Sequence, residues 1–167
     1  MKTMIVKHKQ TGSVLIITLL LLLMLSVMAI AQMNFNITQT QVATNTADAQ
    51  VAFQTAEGAL NQATTNLLAG TYPSSSFLSN TNGLYLFDPN NANLWSTIDW
   101  ASGNAVIFSF QGNSNARAAY IIEQLPSVVL PGQNASNPAE VYRITARAVG
   151  ASGGTSVILQ STEQIQP

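Results

Sequence analysis

An α+β fold, with one long N-terminal helix laid across a sheet of about four antiparallel strands, is the architecture this sequence predicts. Three observations predict it. Val14–Ala31 is an apolar run of 18 residues; a helical pattern then continues unbroken to Ala69; and the rest alternates short β-type runs with Asn-, Gly- and Pro-rich loops. The length of 167 residues suits one domain with an appendage.

The charge pattern supports the same division. Charged residues make up 8% of the chain, against roughly 25% in an ordinary soluble domain. Lys2, Lys7 and Lys9 precede residue 10, and the next charge is Asp48. Beyond Lys9 there are three Arg against seven Asp and Glu. Six basic residues in a chain of net charge -1 leave no electrostatic footprint for nucleic acid. The absence of Cys excludes disulfides, thiolate metal sites and Cys nucleophiles, and the single His8 excludes a two-His metal site. Asp88, Asp99 and Glu123 lie in different segments without metal-ligand or acid/base spacing, so neither a catalytic site nor a cofactor is implied.

The first element is the apolar helix. Thr18 and Ser26 are its only polar side chains between Val14 and Ala31. Both hydroxyls can bond back to a carbonyl one turn earlier, which makes them tolerable in lipid. At about 1.5 Å per residue the run spans roughly 27 Å, close to a hydrocarbon core of about 30 Å. The Lys residues in front place that end in the cytoplasm. A cleavable secretory signal, cut after Ala29-Ile30-Ala31, competes with a retained membrane helix. The helical continuation favours retention: there is no Pro from Gln32 to Ala69 and no Gly before Gly58.

The second half of the helix is amphipathic. Phe35, Val42, Ala49, Ala56 and Ala63 recur at sevens, and Phe53, Leu60 and Leu67 fill the spacings of three and four. The expected packing face is therefore Ala49, Phe53, Ala56, Leu60, Ala63 and Leu67, laid on the chain's own sheet. Gly70 and Pro73 give the stop. The expected organisation is a leader at 1–12, a membrane helix half at 13–31, an amphipathic half at 32–69 and a β-rich head at 70–167.

In the head, the runs 84–87, 105–110, 118–124, 140–149 and 155–161 read as strands. Within 141–148, Tyr142, Ile144, Ala146 and Ala148 share one face and Val141, Arg143, Thr145 and Arg147 the other. Ala151–Gly154 then closes a hairpin. Glu57, Arg143 and Arg147 are candidate partner contacts, with solvent exposure the plainer reading of each. Trp95 and Trp100 suit either contact anchors or a cover for a small core. Asn36-Ile37-Thr38 and Asn134-Ala135-Ser136 fit the glycosylation pattern, but that pattern is unspecific.

The leader ending Lys9-Gln10-Thr11-Gly12, followed directly by Ser13-Val14-Leu15-Ile16-Ile17, resembles the prepilin signature of type IV pilins and secretion pseudopilins. Asp48–Ala63 (DAQVAFQTAEGALNQA) and the closing YRITARAVGASGGTSVILQST are similar to segments of the type IV pilus assembly protein PilX family. These stretches cover under half of the chain. The resemblance implies a pilin-like fold and cleavage by prepilin peptidase between Gly12 and Ser13. It further implies N-methylation of Ser13, which is an unusual residue where Phe or Met is common. Major pilins carry Glu at the position held here by Ile17, and subunits lacking it suit a filament tip.

The function so implied is that of a non-catalytic minor pilin. It would prime or cap a type IV pilus alongside other minor pilins and the major pilin, under a large tip adhesin. It would reside in the bacterial inner membrane, with its N-terminus cytoplasmic and its head periplasmic, before reaching the pilus surface. A tip pseudopilin of type II secretion is the near variant. A secreted or membrane-anchored binding domain is the alternative of another class. A mature N-terminus at Ser13, Gln32 or Met1 separates pilin processing, ordinary secretion and a simple anchor.

Overall fold

The computed structural model describes residues 12–100, 103–108, 117–129, 131–132 and 138–166. The expected leader, apart from Gly12, lies outside these residues. So do Ser109 and Phe110 of the second strand run and the Asn134-Ala135-Ser136 triplet. Helix α1 runs from Ser13 to Leu68. The chain divides into two compact units, the first ending at Thr44 and the second beginning at Asn45.

The first unit is the opening of α1, with every described residue exposed. It is long and apolar enough to cross a membrane. The hydroxyls behave as their positions predict: Thr18 Oγ1 donates to the Leu15 carbonyl at 2.9 Å and Ser26 Oγ to that of Leu22 at 2.8 Å. Thr38, Thr40 and Thr44 repeat the same bond over four residues. Polar side chains thereby satisfy themselves on the helix that carries them.

The second unit contains the rest of α1 and all five strands: β1 Leu84–Leu86, β2 Val106–Phe108, β3 Arg117–Val128, β4 Ala139–Val149 and β5 Ser156–Ile165. Gly70 ends the helix with φ +69°, a conformation open to a residue without Cβ. The Thr71 amide then donates to the Asn66 carbonyl at 3.0 Å and the Gly70 amide to that of Leu67 at 3.1 Å. These two bonds form a Schellman cap.

β3 is the centre of the sheet. β4 pairs antiparallel along its length and β5 follows β4, also antiparallel. The other edge of β3 is shared: β2 pairs antiparallel with Ala118–Tyr120, and β1 pairs parallel with Ile122–Gln124. The pilin-like α+β layout expected from the sequence is thus present, with β1 making the sheet mixed. Pro126 cannot donate to the ladder, and the β3–β4 register shifts between Leu125 and Val128 around it.

Two cores form, one on each face of the sheet. On the inner face Ala56, Ala59, Ala63 and Leu67 of α1 meet Tyr120, Ile122, Tyr142 and Ile144, with Phe77 beside them. The Tyr120 and Tyr72 hydroxyls lie 2.7 Å apart at this interface. Burial, then the bond to Tyr72, pushes the Tyr120 hydroxyl well above the ordinary phenol range. On the outer face Ala105, Ala119 and Ile121 are covered by Tyr85, Leu94, Trp95, Ile98 and Trp100. Both Trp residues therefore belong to a core. The segment carrying them forms a short helix, α2 (Leu94–Thr97), and the Trp100 indole donates to the Trp95 carbonyl at 3.2 Å. With both faces covered, the stretch Ala118–Glu123 is continuously buried.

Candidate functional site

Three places bear on function: the start of α1, the face of α1 that meets the sheet, and the outer sheet face that carries the arginines. At the first, Gly12 is the turn residue before Ser13 opens the helix. A Cβ at Gly12 would meet nothing within 4 Å. Among the described residues, nothing crowds that position. Ile17 lies on the helix surface, 56% exposed.

At the second place the buried residues are Asp48, Ala52, Thr55, Ala56, Ala59, Ala63 and Leu67. Of the six residues expected on this face, Ala56, Ala63 and Leu67 are buried and Leu60 packs against the core from a half-buried position. Phe53, by contrast, is 49% exposed, and Ala49 is half-buried. The expectation for Phe53 is corrected: the stripe is rotated toward Ala52 and Ala59. The reason is steric. Tyr120, Ile122, Tyr142 and Ile144 fill much of the space between sheet and helix, and Ala52, Ala56, Ala59 and Ala63 let the helix approach them closely.

Asp48 begins that line, a role that no motif in the sequence marks. Its carboxylate accepts from the Ser152 amide at 3.0 Å and the Ser152 hydroxyl at 2.7 Å. It thereby ties α1 to the turn between β4 and β5. These bonds, the Ser152 hydroxyl first, hold the carboxyl below its ordinary value of 3.8. A Cβ on Gly150 would collide with the Asp48 carboxylate, so the glycine provides the space for the contact. Asp48 is the first charge after a run of 38 uncharged residues, and that isolation was the available signal.

At the third place Arg143 and Arg147 share the outer face, as their spacing predicts, but they are used differently. Arg143 is the register partner of Glu123 and grips it side-on, Nε to Oε2 at 2.9 Å and Nη2 to Oε1 at 2.7 Å. Glu123 is 1% exposed. Nη2 also donates to the Ala92 carbonyl at 2.9 Å, and the guanidinium lies 5.5 Å from the Phe87 ring centroid. Arg143 is thus committed within the chain, which corrects its reading as a partner contact. Glu123–Arg143 is the one ion pair among the described residues, so Arg147 has no carboxylate partner there. Glu57 is exposed on α1. No group of three or more His, Cys, Asp or Glu that could hold a metal occurs among the described residues.

A family model described as the C-terminal part of type IV pilus assembly protein PilX matches residues 38–165, and one described as PilX N-terminal matches residues 11–61. No curated protein and no solved structure matches the chain significantly.

Proposed function

The chain belongs to the type IV pilus assembly protein PilX family, and from that membership we propose that this minor pilin acts at the pilus tip, where it primes or caps the filament. Ile17 is the observation that carries the tip assignment. At that place the helix offers a neighbour an apolar side chain rather than a carboxylate. A subunit without that charge cannot pair with the N-terminal amine of an adjoining subunit, so it is suited to the end of a filament rather than its repeat.

Processing by prepilin peptidase between Gly12 and Ser13 belongs to the same proposal. It is supported by the leader sequence ending in Gly12 directly before the apolar helix. The basic residues Lys2, Lys7 and Lys9 support a cytoplasmic N-terminus and a head on the far side of the inner membrane. The apolar part of α1 is then the membrane anchor before assembly and the filament contact after it. Other minor pilins, the major pilin and a large tip adhesin are the proposed partners.

Quantitative mass spectrometry of sheared pili tests the tip assignment. The expected result is this chain at far below the level of the major subunit. Near-equal amounts would place it along the filament. Its presence in a secretion pseudopilus and absence from pili would favour the pseudopilin reading.

A further inference from the structure

Among the described residues, the outer face of the sheet is covered in part. The segment carrying Trp95 and Trp100 closes over Ala105, Ala119 and Ile121. The register places Ile107 of β2, the covered Ala119 of β3, Arg147 of β4 and Ile158 of β5 in one row, so Arg147 and Ile158 lie on the β4–β5 side of that cover. Residues paired in register point to the same side, so this row spans about 14 Å of one surface at about 4.8 Å per strand. Ile158 is 41% exposed and Arg147, beside it, is half-buried. Arg117 opposes Val149, two residues along from Arg147, on the same face.

Two cations thus occupy diagonal positions about 7–8 Å apart. Neither has a carboxylate partner among the described residues, where Arg143 and Glu123 make the one ion pair. Nor do the remaining residues carry an acidic side chain: all seven Asp and Glu of the sequence are described. Glu123, the carboxylate on this face of β3, has both oxygens bonded to Arg143. The part of the chain beyond Lys9 is acidic overall, yet this patch is basic and flanked by aliphatic side chains.

We propose that this patch, made by Arg117 and Arg147 beside Ile158, docks an extended acidic segment of a partner protein. In an extended segment, carboxylates at alternate positions lie about 6.7 Å apart on one side. That spacing matches the two guanidinium-bearing positions. An aliphatic side chain beside the carboxylates would cover Ile158. Docking would also relieve the repulsion of two like charges placed diagonally in a sheet. The inference goes beyond the pilus reading and does not rest on it, because it concerns the chemistry of the segment bound and not the assembly that presents it.

The test uses the full chain purified in an uncharged detergent. The probe is a fluorescent peptide alternating Glu and Val, with a Lys-for-Glu peptide as its counterpart. Fluorescence anisotropy should show the Glu peptide binding, more weakly as salt is raised, and the Lys peptide not binding. Arg117→Gln and Arg147→Gln should each weaken binding roughly tenfold or more. Arg117 is exposed, so its variant carries the test even where Arg147→Gln disturbs the sheet. Absence of binding by the wild type would overturn the proposal, as would binding indifferent to Arg117→Gln. So would tighter binding of a short-chain phosphatidylglycerol than of the peptide, which would make the patch a lipid-headgroup surface.

Discussion

Asp48 is the residue through which the helix and the β4–β5 turn hold each other. Its folded-state pKa lies below the ordinary 3.8. The contribution to stability is therefore present above the unfolded value and is lost as pH falls through the folded one. Asp48→Asn should lower the urea midpoint of the full chain at pH 7, and the gap to wild type should narrow on acidification below 3.8. An equal gap at both pH values would show that the charge is not what matters. At the same contact, Gly150→Ala should cost about 1–3 kcal/mol by crowding the carboxylate. Glu123 and Arg143 are the second residue-scale device. Arg143→Ala leaves a buried carboxylate without its partner and should cost about 3–5 kcal/mol. Replacing both, by Glu123→Leu with Arg143→Met, should recover most of that loss, because no unpaired charge remains. Trp fluorescence suits both measurements, since Trp95 and Trp100 cover the core beside the pair. A double variant as unstable as Arg143→Ala would show that the ion pair has a role beyond self-compensation.

Among elements, the contact between α1 and the sheet has a line of alanines on the helix, with Tyr120, Ile122, Tyr142 and Ile144 among the strand residues that meet it. Ala52, Ala56, Ala59 and Ala63 are each fully buried. Ala59→Leu should therefore overpack the interface and cost about 1–3 kcal/mol. Gln54→Ala, on the exposed side, should stay within about 0.5 kcal/mol, and Phe53→Ala should cost less than Ala59→Leu. Urea unfolding of the full chain checks the order. If Phe53→Ala proved the more damaging, the contact line would run through Phe53 after all. The periodicity of sevens finds Ala49, Ala56 and Ala63, but Ala52 and Ala59 are spaced by seven as well. Both rows contribute to the contact, and whether its edge falls at Phe53 or at Ala52 depends on what the strands present, about which helix periodicity carries no information. The β-elements show the opposite case. Alternation in Tyr142–Ala148 divides the two faces of β4 correctly, because a pleated strand has only two sides.

At the scale of the whole molecule, membership of the PilX family and an apolar helix long enough to cross a membrane make this a pilus subunit with a membrane-compatible N-terminal helix. The proposed processing can be tested on the intact chain in cells. Gly12→Val should leave full-length protein in the inner membrane and abolish its appearance in pili, read by immunoblot and by the mass of the N-terminal peptide. A variant of normal mature length beginning at Ser13 would refute cleavage by a glycine-dependent peptidase. A wild-type N-terminus at Gln32 would instead support ordinary secretion.

The sequence by itself determined the helix, its end at the Gly70 cap, the five strand runs and the two faces of β4. Each follows from local causes: hydrophobic period, the dihedral freedom of one glycine, and the alternation of a strand. Family membership was legible differently, from the resemblance of the leader, Asp48–Ala63 and the closing strands to segments of that family. Only the tertiary structure decided what depends on residues far apart in the chain. Asp48 reaches a turn 104 positions away. Arg143 turns from a surface candidate into a core partner because the β3–β4 register places it opposite Glu123. That same register leaves Arg147 with no acid to meet, since pairing across strands is set by packing of the whole sheet and not by any spacing along one strand.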